Sequence, residues 1–311
     1  MTAADMATSG QGQTVSPTPV NGESRRLSVL KRVGLFTSNT KGATIVRATN
    51  AQDLLQAYRL VHDMFVEEGY IVPRPCGIRL RSYEAMPETA TFTAKFEDAV
   101  VGVQSLVVDS PDLLLPSDSV FRAEIDRLRG SGRVICEATN EAVAGDYRRS
   151  GVPTELMRCM FAHGLATGCT DLVTAVSPGH ASFYEFIGFQ QIGSPRNYSE
   201  EVEDPVVLVW WQLDALAGRF AKVKPGDADD EAFLKQFCYE NNPYHAQVAD
   251  WALSADEFFG DPETITMLFV CHGDLFARCT QEELEAIGRR WGRDVYAQVE
   301  QAAMAALPAK R

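Results

Sequence analysis

"RVICEATNEAVAGDYRRSGVPTELMRCMFAHGLATG", residues 133–168, runs from a β-branched stretch through a polar turn into a helix-forming stretch. The spacing predicts a long strand over "RVICEATNEAVA", then a turn, then a helix with Pro153 suited to its first position and Gly168 to its stop. Side chains two apart on a strand share a face, so Ile135, Glu137, Thr139 and Glu141 are expected on one side and Cys136, Ala138 and Asn140 on the other. The turn "DYRRSGVP" sets a glycine and two arginines at a helix N-terminus, where unsatisfied N–H groups and the helix dipole favour an anion such as phosphate. An ordinary βα turn with solvated arginines fits the same letters.

Upstream, "IVRA" reads as a strand, and "TNAQDLLQAYRLVHDMFVEEGY" as a helix with Asn50 as N-cap and Leu54, Tyr58, Val61 and Phe65 at helical spacing. "ATFTAKF" and "VVGVQSLVVD" predict an antiparallel hairpin, and "SDSVFRAEIDRLR" a helix. Downstream come a strand "CTDLVTAVS", a short helix "HASFYEFIG", a short strand "FQQIG" and a buried strand "DPVVLVWWQLD". This order predicts an α/β fold, a mixed β-sheet flanked by helices, over residues 43–220. Residues 1–42, rich in Thr, Ser, Gly, Gln and Pro, predict a disordered tail with order beginning near Ile45; within it "RRLSVLKR" could form a short amphipathic piece. Residues 221–311 predict a C-terminal helical extension that packs on the sheet domain or serves as an oligomerisation element.

A chain of 311 residues with 45% hydrophobic content and 23% charged residues is long enough for one large core or two smaller ones. Its net charge of -13 speaks against nucleic-acid binding, which depends on many Lys and Arg displacing counterions, while leaving room for a local basic patch facing one acidic partner. Seven scattered cysteines without a Cys-x-x-Cys pair fit reduced thiols in the cytoplasm, and "CHGDLFARC" (271–279) matches no common zinc spacing. No run of eighteen apolar residues predicts a transmembrane segment.

The order of elements and two motifs resemble the GNAT acyltransferase superfamily. There a turn of the form Arg/Gln-x-x-Gly-x-Gly/Ala binds the pyrophosphate of the acyl donor; here Arg148, Arg149, Ser150 and Gly151 stand in it, with Pro153 where a small residue is usual and one backbone donor therefore missing. A Tyr-x-x-x-Gly-Phe pattern, Tyr184, Gly188 and Phe189 here, carries the tyrosine that protonates the departing thiolate in many of those enzymes. Over about residues 45–215 the chain is similar to the long-chain N-acyl amino acid synthases (FeeM-type), relatives of the acyl-homoserine-lactone synthases. The likeness lies in "SPGHASFYEFIGFQQIGSPRNYSEEVEDPVVLVWW", with its Pro-x-His before the Phe-Tyr helix and its Gly-Phe followed by Ile-Gly.

The resemblance implies amide formation between an acyl thioester and the amine of an amino acid. The donor would be long-chain acyl-ACP (acyl carrier protein with its phosphopantetheine arm) or acyl-CoA, with no permanently bound cofactor and no metal. It assigns Tyr184 as general acid, Glu137 as base or water-positioner with Glu141 as competitor, His180 to the site, and the turn Arg148–Gly151 to the pantetheine phosphate. A phenol of pKa about 10 can serve a thiolate of pKa about 8.5 if it lies within hydrogen-bond reach. Packing of Tyr184 against Phe183 and Phe186, and pairing of Glu137 with an arginine such as Arg148, are the structural alternatives. Val101, Val103, Phe161, Phe183, Phe186, Trp210 and Trp211 would wall an acyl tunnel or form ordinary core. Arg74, Arg79 and Arg81 could hold an acceptor carboxylate, face an acidic carrier protein, or be solvated. An acetyl-CoA-dependent N-acetyltransferase and a non-catalytic thioester-binding module are the rival functions.

Overall fold

The computed structural model describes residues 23–198, 205–272 and 274–306. Its sheet runs in the order β1 (Thr44–Arg47), β2 (Ala90–Phe96), β3 (Ala99–Val108), β4 (Ile135–Val143), β5 (Asp171–Val176), β8 (Pro205–Gln212) and β6 (Gln190–Gln191), with β7 (Arg196–Asn197) also on β8. All neighbours are antiparallel except β4 and β5. The expected mixed α/β sheet flanked by helices is therefore present.

The helices are α1 (Arg25–Arg32), α2 (Ala51–Glu67), α3 (Asp118–Gly130), α4 (Val152–Ala166) and α5 (Pro178–Ile187). Asn50 caps α2 by accepting from the Asp53 N–H at 2.9 Å, and Leu54, Tyr58 and Val61 are buried at the expected spacing. Helices α2 and α3 cover one face of the sheet through Ala57, Val61, Phe121 and Ile125 against Val103, Ala142, Val107, Ile135 and Val173. On the other face, α4 and α5 pack against Leu106, Cys136, Leu172, Val207 and Val209.

The strand β4 departs from strict alternation. Thr139 faces Ser105 and Ala142 faces Val103, so two residues, Asn140 and Glu141, oppose the single Gln104. Asn140 takes φ 56° in this bulge, a left-handed conformation that asparagine tolerates better than most residues. Thr139 and Ala142 thus share a face, and Glu141 passes to the face opposite Glu137. The expectation that Glu137 and Glu141 share one face of the strand fails for this reason.

Of the expected tail, residues 1–22 lie outside the described residues, as do 199–204 of the quoted synthase-like stretch and 307–311 at the C-terminus. Residues 25–32 form α1, and Leu27, Leu30, Leu35 and Phe36 are buried. The segment has no long apolar period of its own. It orders because the folded domain offers a surface, each buried apolar side chain contributing about 1.5–3 kcal/mol. At the other end, helices over Val248–Phe259, Gln281–Trp291 and Arg293–Ala306 share cores with the sheet layer: Phe258, Leu268, Phe269 and Trp291 pack with Leu54, Tyr58, Leu80 and Met86. The Trp291 indole N–H donates to the Ala85 carbonyl at 2.7 Å.

Candidate active site

β4 and β5 pair only over Ile135–Glu137 and Asp171–Val173; beyond this β5 stays bonded to β8 up to Val176 while β4 bulges away. The parting strands open a cavity of about 440 Å³, within the usual ~300–1,000 Å³ of small-ligand sites. Glu137, Glu141, His180, Tyr184 and Arg148 all line it, whereas Arg149, Ser150 and Gly151 do not. Of the anticipated tunnel side chains only Phe183 lines the cavity; its apolar wall comes instead from Leu35, Met64, Phe65, Ile71, Val176 and Val206. These residues sit on four separate stretches of chain, and nothing in local spacing marks them as neighbours.

Glu137 is 1% exposed, and both its oxygens are held by Ser117, Oε2 by the backbone N–H at 2.9 Å and Oε1 by the hydroxyl at 2.7 Å. Burial pushes its carboxyl up to about 7 against the lowering effect of those two bonds and of Arg81. A carboxyl of that kind changes charge in the range where a general base works best. No ion pair joins Glu137 to Arg148 among the described residues; Arg148 lies instead 3.7 Å from Glu68 and donates through Nε to the Val143 carbonyl at 3.2 Å.

Tyr184 is half-buried on α5 and donates to Glu141 Oε2 at 3.0 Å. Burial, and then the Glu141 carboxylate, push its phenol well above the usual tyrosine range, so it stays protonated and available as a donor. The spacing Tyr-x-x-x-Gly-Phe has a structural reason here. Gly188 ends α5 at φ 113°, a left-handed conformation open to glycine, and Phe189 turns back under Tyr184 with ring centroids 5.3 Å apart. His180 stands in the first turn of α5, its Nδ1 3.0 Å from the Ser177 hydroxyl.

In the turn expected to grip phosphate, two backbone donors at the start of α4 are engaged within the chain. The Gly151 N–H donates to the Asn39 carbonyl at 2.8 Å and the Val152 N–H to the Ser150 hydroxyl at 3.2 Å, while Pro153 has none to give. Residues 34–39 lie directly on the turn: a Cβ on Gly151 would collide with the Thr37 carbonyl, and one on Gly34 would press on the Arg149 backbone at 2.6 Å. Phe36 anchors this segment among Phe183, Phe186, Phe233 and Phe237, with centroids 5.3–6.2 Å apart. Arg25, Arg26, Arg32, Lys41 and Arg149 are exposed around it.

At the bulge, Asn140 accepts from Arg79 Nη1 and donates to Glu84 Oε1 at 2.9 Å. Arg81 and Glu84 form a close pair, Nη2 to Oε1 at 2.6 Å. Although burial works against both charges, Arg81 holds Glu84 below the usual carboxylate range. Of the three loop arginines, Arg74 and Arg79 line the cavity and Arg81 does not.

The cavity between the parting strands β4 and β5 thus has a buried carboxyl and a protonated phenol in its walls. The model of the N-acyl amino acid synthase FeeM family matches residues 56–212, just over half of the chain, and the chain belongs to that family. It is an N-acyltransferase enzyme with a GNAT-like fold. Among solved structures, FeeM, an N-acyl amino acid synthase from uncultured soil microbes, matches with TM-score 0.50 and 21% identity over 55% of this chain and 90% of its own. BjaI, a CoA-dependent acyl-homoserine lactone synthase, matches with TM-score 0.41 and 21% identity over 62% of this chain and 99% of its own. An N-acetyltransferase from Staphylococcus aureus Mu50 matches with TM-score 0.41 and 16% identity over 55% and 98%. These likenesses concern the fold. No curated protein matches. Among the described residues no helix is long and apolar enough to cross a membrane.

Proposed function

We propose that this protein joins a long acyl chain, delivered as a thioester on acyl carrier protein, to the α-amine of an amino acid. The observation that carries this reading is the single cavity on which Glu137, His180, Tyr184 and Arg148 converge with an apolar wall. The neutral amine attacks the thioester carbonyl. Glu137, directly or through a water, takes the amine proton; Tyr184 donates a hydrogen bond and then its proton to the departing sulfur, and is reprotonated from the Glu141 side, to which it is bonded. His180, at the start of α5, donates toward the carbonyl oxygen.

The segment over the turn favours carrier protein over coenzyme A. A nucleotide would need the pyrophosphate donors that Asn39 and Ser150 already occupy, whereas a pantetheine arm needs one phosphate contact, which Arg148 at the cavity edge and exposed Arg149 can supply. Arg25, Arg26 and Arg32 give this mouth a local positive face on a chain of net charge -13, suited to an acidic carrier domain in the cytoplasm. The test is to supply palmitoyl-ACP, palmitoyl-CoA and acetyl-CoA in turn with a pool of the twenty amino acids and to weigh the products. Long-chain acyl amino acids from the carrier donor support the reading; acetylated products alone, or none from any donor, overturn it.

A further inference from the structure

Arg79 is 8% exposed, lines the cavity, and has no carboxylate within ion-pair distance among the described residues. Its Nη1 donates to the neutral Asn140 amide oxygen, and its guanidinium lies 4.9 Å from the centre of the Phe65 ring. The acid of the network, Glu84, is committed to Arg81 through three side-chain hydrogen bonds and to the Arg81 backbone N–H at 2.6 Å. Burial and then Arg81 lower the Arg79 guanidinium to about 9, the direction expected of a cation in want of an anion. A buried charge without a partner is costly, and a site that retains one in a cavity wall gains most from a ligand that brings the opposite charge.

We infer that Arg79 is the seat of the acceptor's carboxylate, an inference that rests on the reading of the protein as an amino-acid acyltransferase. Guanidinium and carboxylate match as paired N–H donors and two oxygens. An α-amino acid carries its amine on the carbon next to its carboxylate. A carboxylate held at Arg79, which Asn140 fixes on the β4 bulge, therefore leaves the amine beside the same strand that bears Glu137. The bulge has a functional reason: the left-handed Asn140 turns its amide toward Arg79 and Arg81, and at the same step sends Glu141 to the Tyr184 side. Acceptor and leaving group are thereby served from opposite faces of one strand.

The experiment compares the twenty amino acids with their α-carboxamides as acceptors of palmitoyl from its carrier protein, using the whole chain. The amide's amine is the more readily neutral, so reactivity alone favours it. Wild type is expected to use the acids with a kcat/KM at least about 10-fold higher, about 1.4 kcal/mol, because the amide leaves the buried guanidinium without its charge partner. Arg79→Gln should raise KM for the acids and erase that preference, and Arg79→Lys, which keeps the charge without the fork, should restore part of it; donor KM and Tm are read alongside. Equal use of acids and amides by wild type, or a preference surviving in Arg79→Gln, overturns the assignment while leaving acyl transfer intact. Absence of acylation of any amine from any thioester overturns the underlying reading instead. Since the acid-to-amide ratio of wild type is itself decisive, a variant that fails to fold does not remove the test.

Discussion

Replacing Glu137 with Gln tests the chemistry and the energetics of the cavity together. Gln keeps the volume and can keep both bonds to Ser117, accepting from its N–H and donating to its hydroxyl, so packing is conserved. What changes is charge. The Glu137 carboxyl titrates at about 7 because burial opposes its ionised form, against an ordinary value of 4.5. Between those values the folded state holds a proton that the unfolded state has released, so the stability this group contributes is full below pH 4.5 and is lost as pH rises through about 7. At 1.36 kcal/mol per unit the loss amounts to about 3 kcal/mol as an upper bound. The groups that set the value are Ser117 and Arg81, which lower it, and Asp118, which raises it. Urea melts near pH 5 and near pH 8 should show Glu137→Gln gaining up to about 3 kcal/mol on wild type at the higher pH and little at the lower. In activity the same variant should lose about 10²–10⁴ in kcat/KM and with it the rising limb centred near pH 7, leaving only the limb of the acceptor amine. A variant with wild-type rate and an unchanged pH profile would refute the base; a stability difference that does not vary with pH would refute the burial argument.

Other consequences are as direct. Tyr184→Phe removes the donor to Glu141 and sulfur and should cut kcat about 10²-fold or more while Tm holds within a few degrees. Reversing Arg25 and Arg32 to Glu should raise KM for acyl-ACP about 10-fold with palmitoyl-CoA little affected, and added salt should mimic this in wild type; equal effects on both donors would count against a docking face. Gly151→Ala places a methyl group against the Thr37 carbonyl and should expose residues 34–43 to faster amide exchange; unchanged protection would show that the segment is not held by this contact. Trp291→Ala should cost about 3–5 kcal/mol and lower the melting of the sheet domain itself, since Trp291 shares a core with Leu80 and bonds to Ala85; a melt confined to the C-terminal helices would contradict the shared core.

The sequence by itself determined the elements and their order. Alternating β-branched runs, the Asn50 cap, Pro153 inside the first turn and Gly168 and Gly188 at helix ends are local signals whose causes lie within one turn or one strand. The resemblance to the acyltransferases singled out Glu137, Tyr184, His180 and Arg148; of these Tyr184, His180 and Arg148 stand in motifs tied to a turn or a short helix, while Glu137 lies within a strand. Tertiary structure decided which of these meet. The bulge at Asn140 depends on the register between β3 and β4, and one extra residue there sends Glu141 to the opposite face, which no alternation read from β4 alone could show. Residues 25–42 lack the apolar period to order themselves and fold because Phe183, Phe186, Phe233 and Phe237 meet Phe36 from distant parts of the chain. The state of the phosphate turn was equally hidden, because the carbonyl that takes the Gly151 N–H lies more than a hundred residues away in sequence. Local propensity acts over a few residues and is written in them, while a cavity, an unpaired buried charge and a covered turn are relations between surfaces that exist only once the chain has closed on itself.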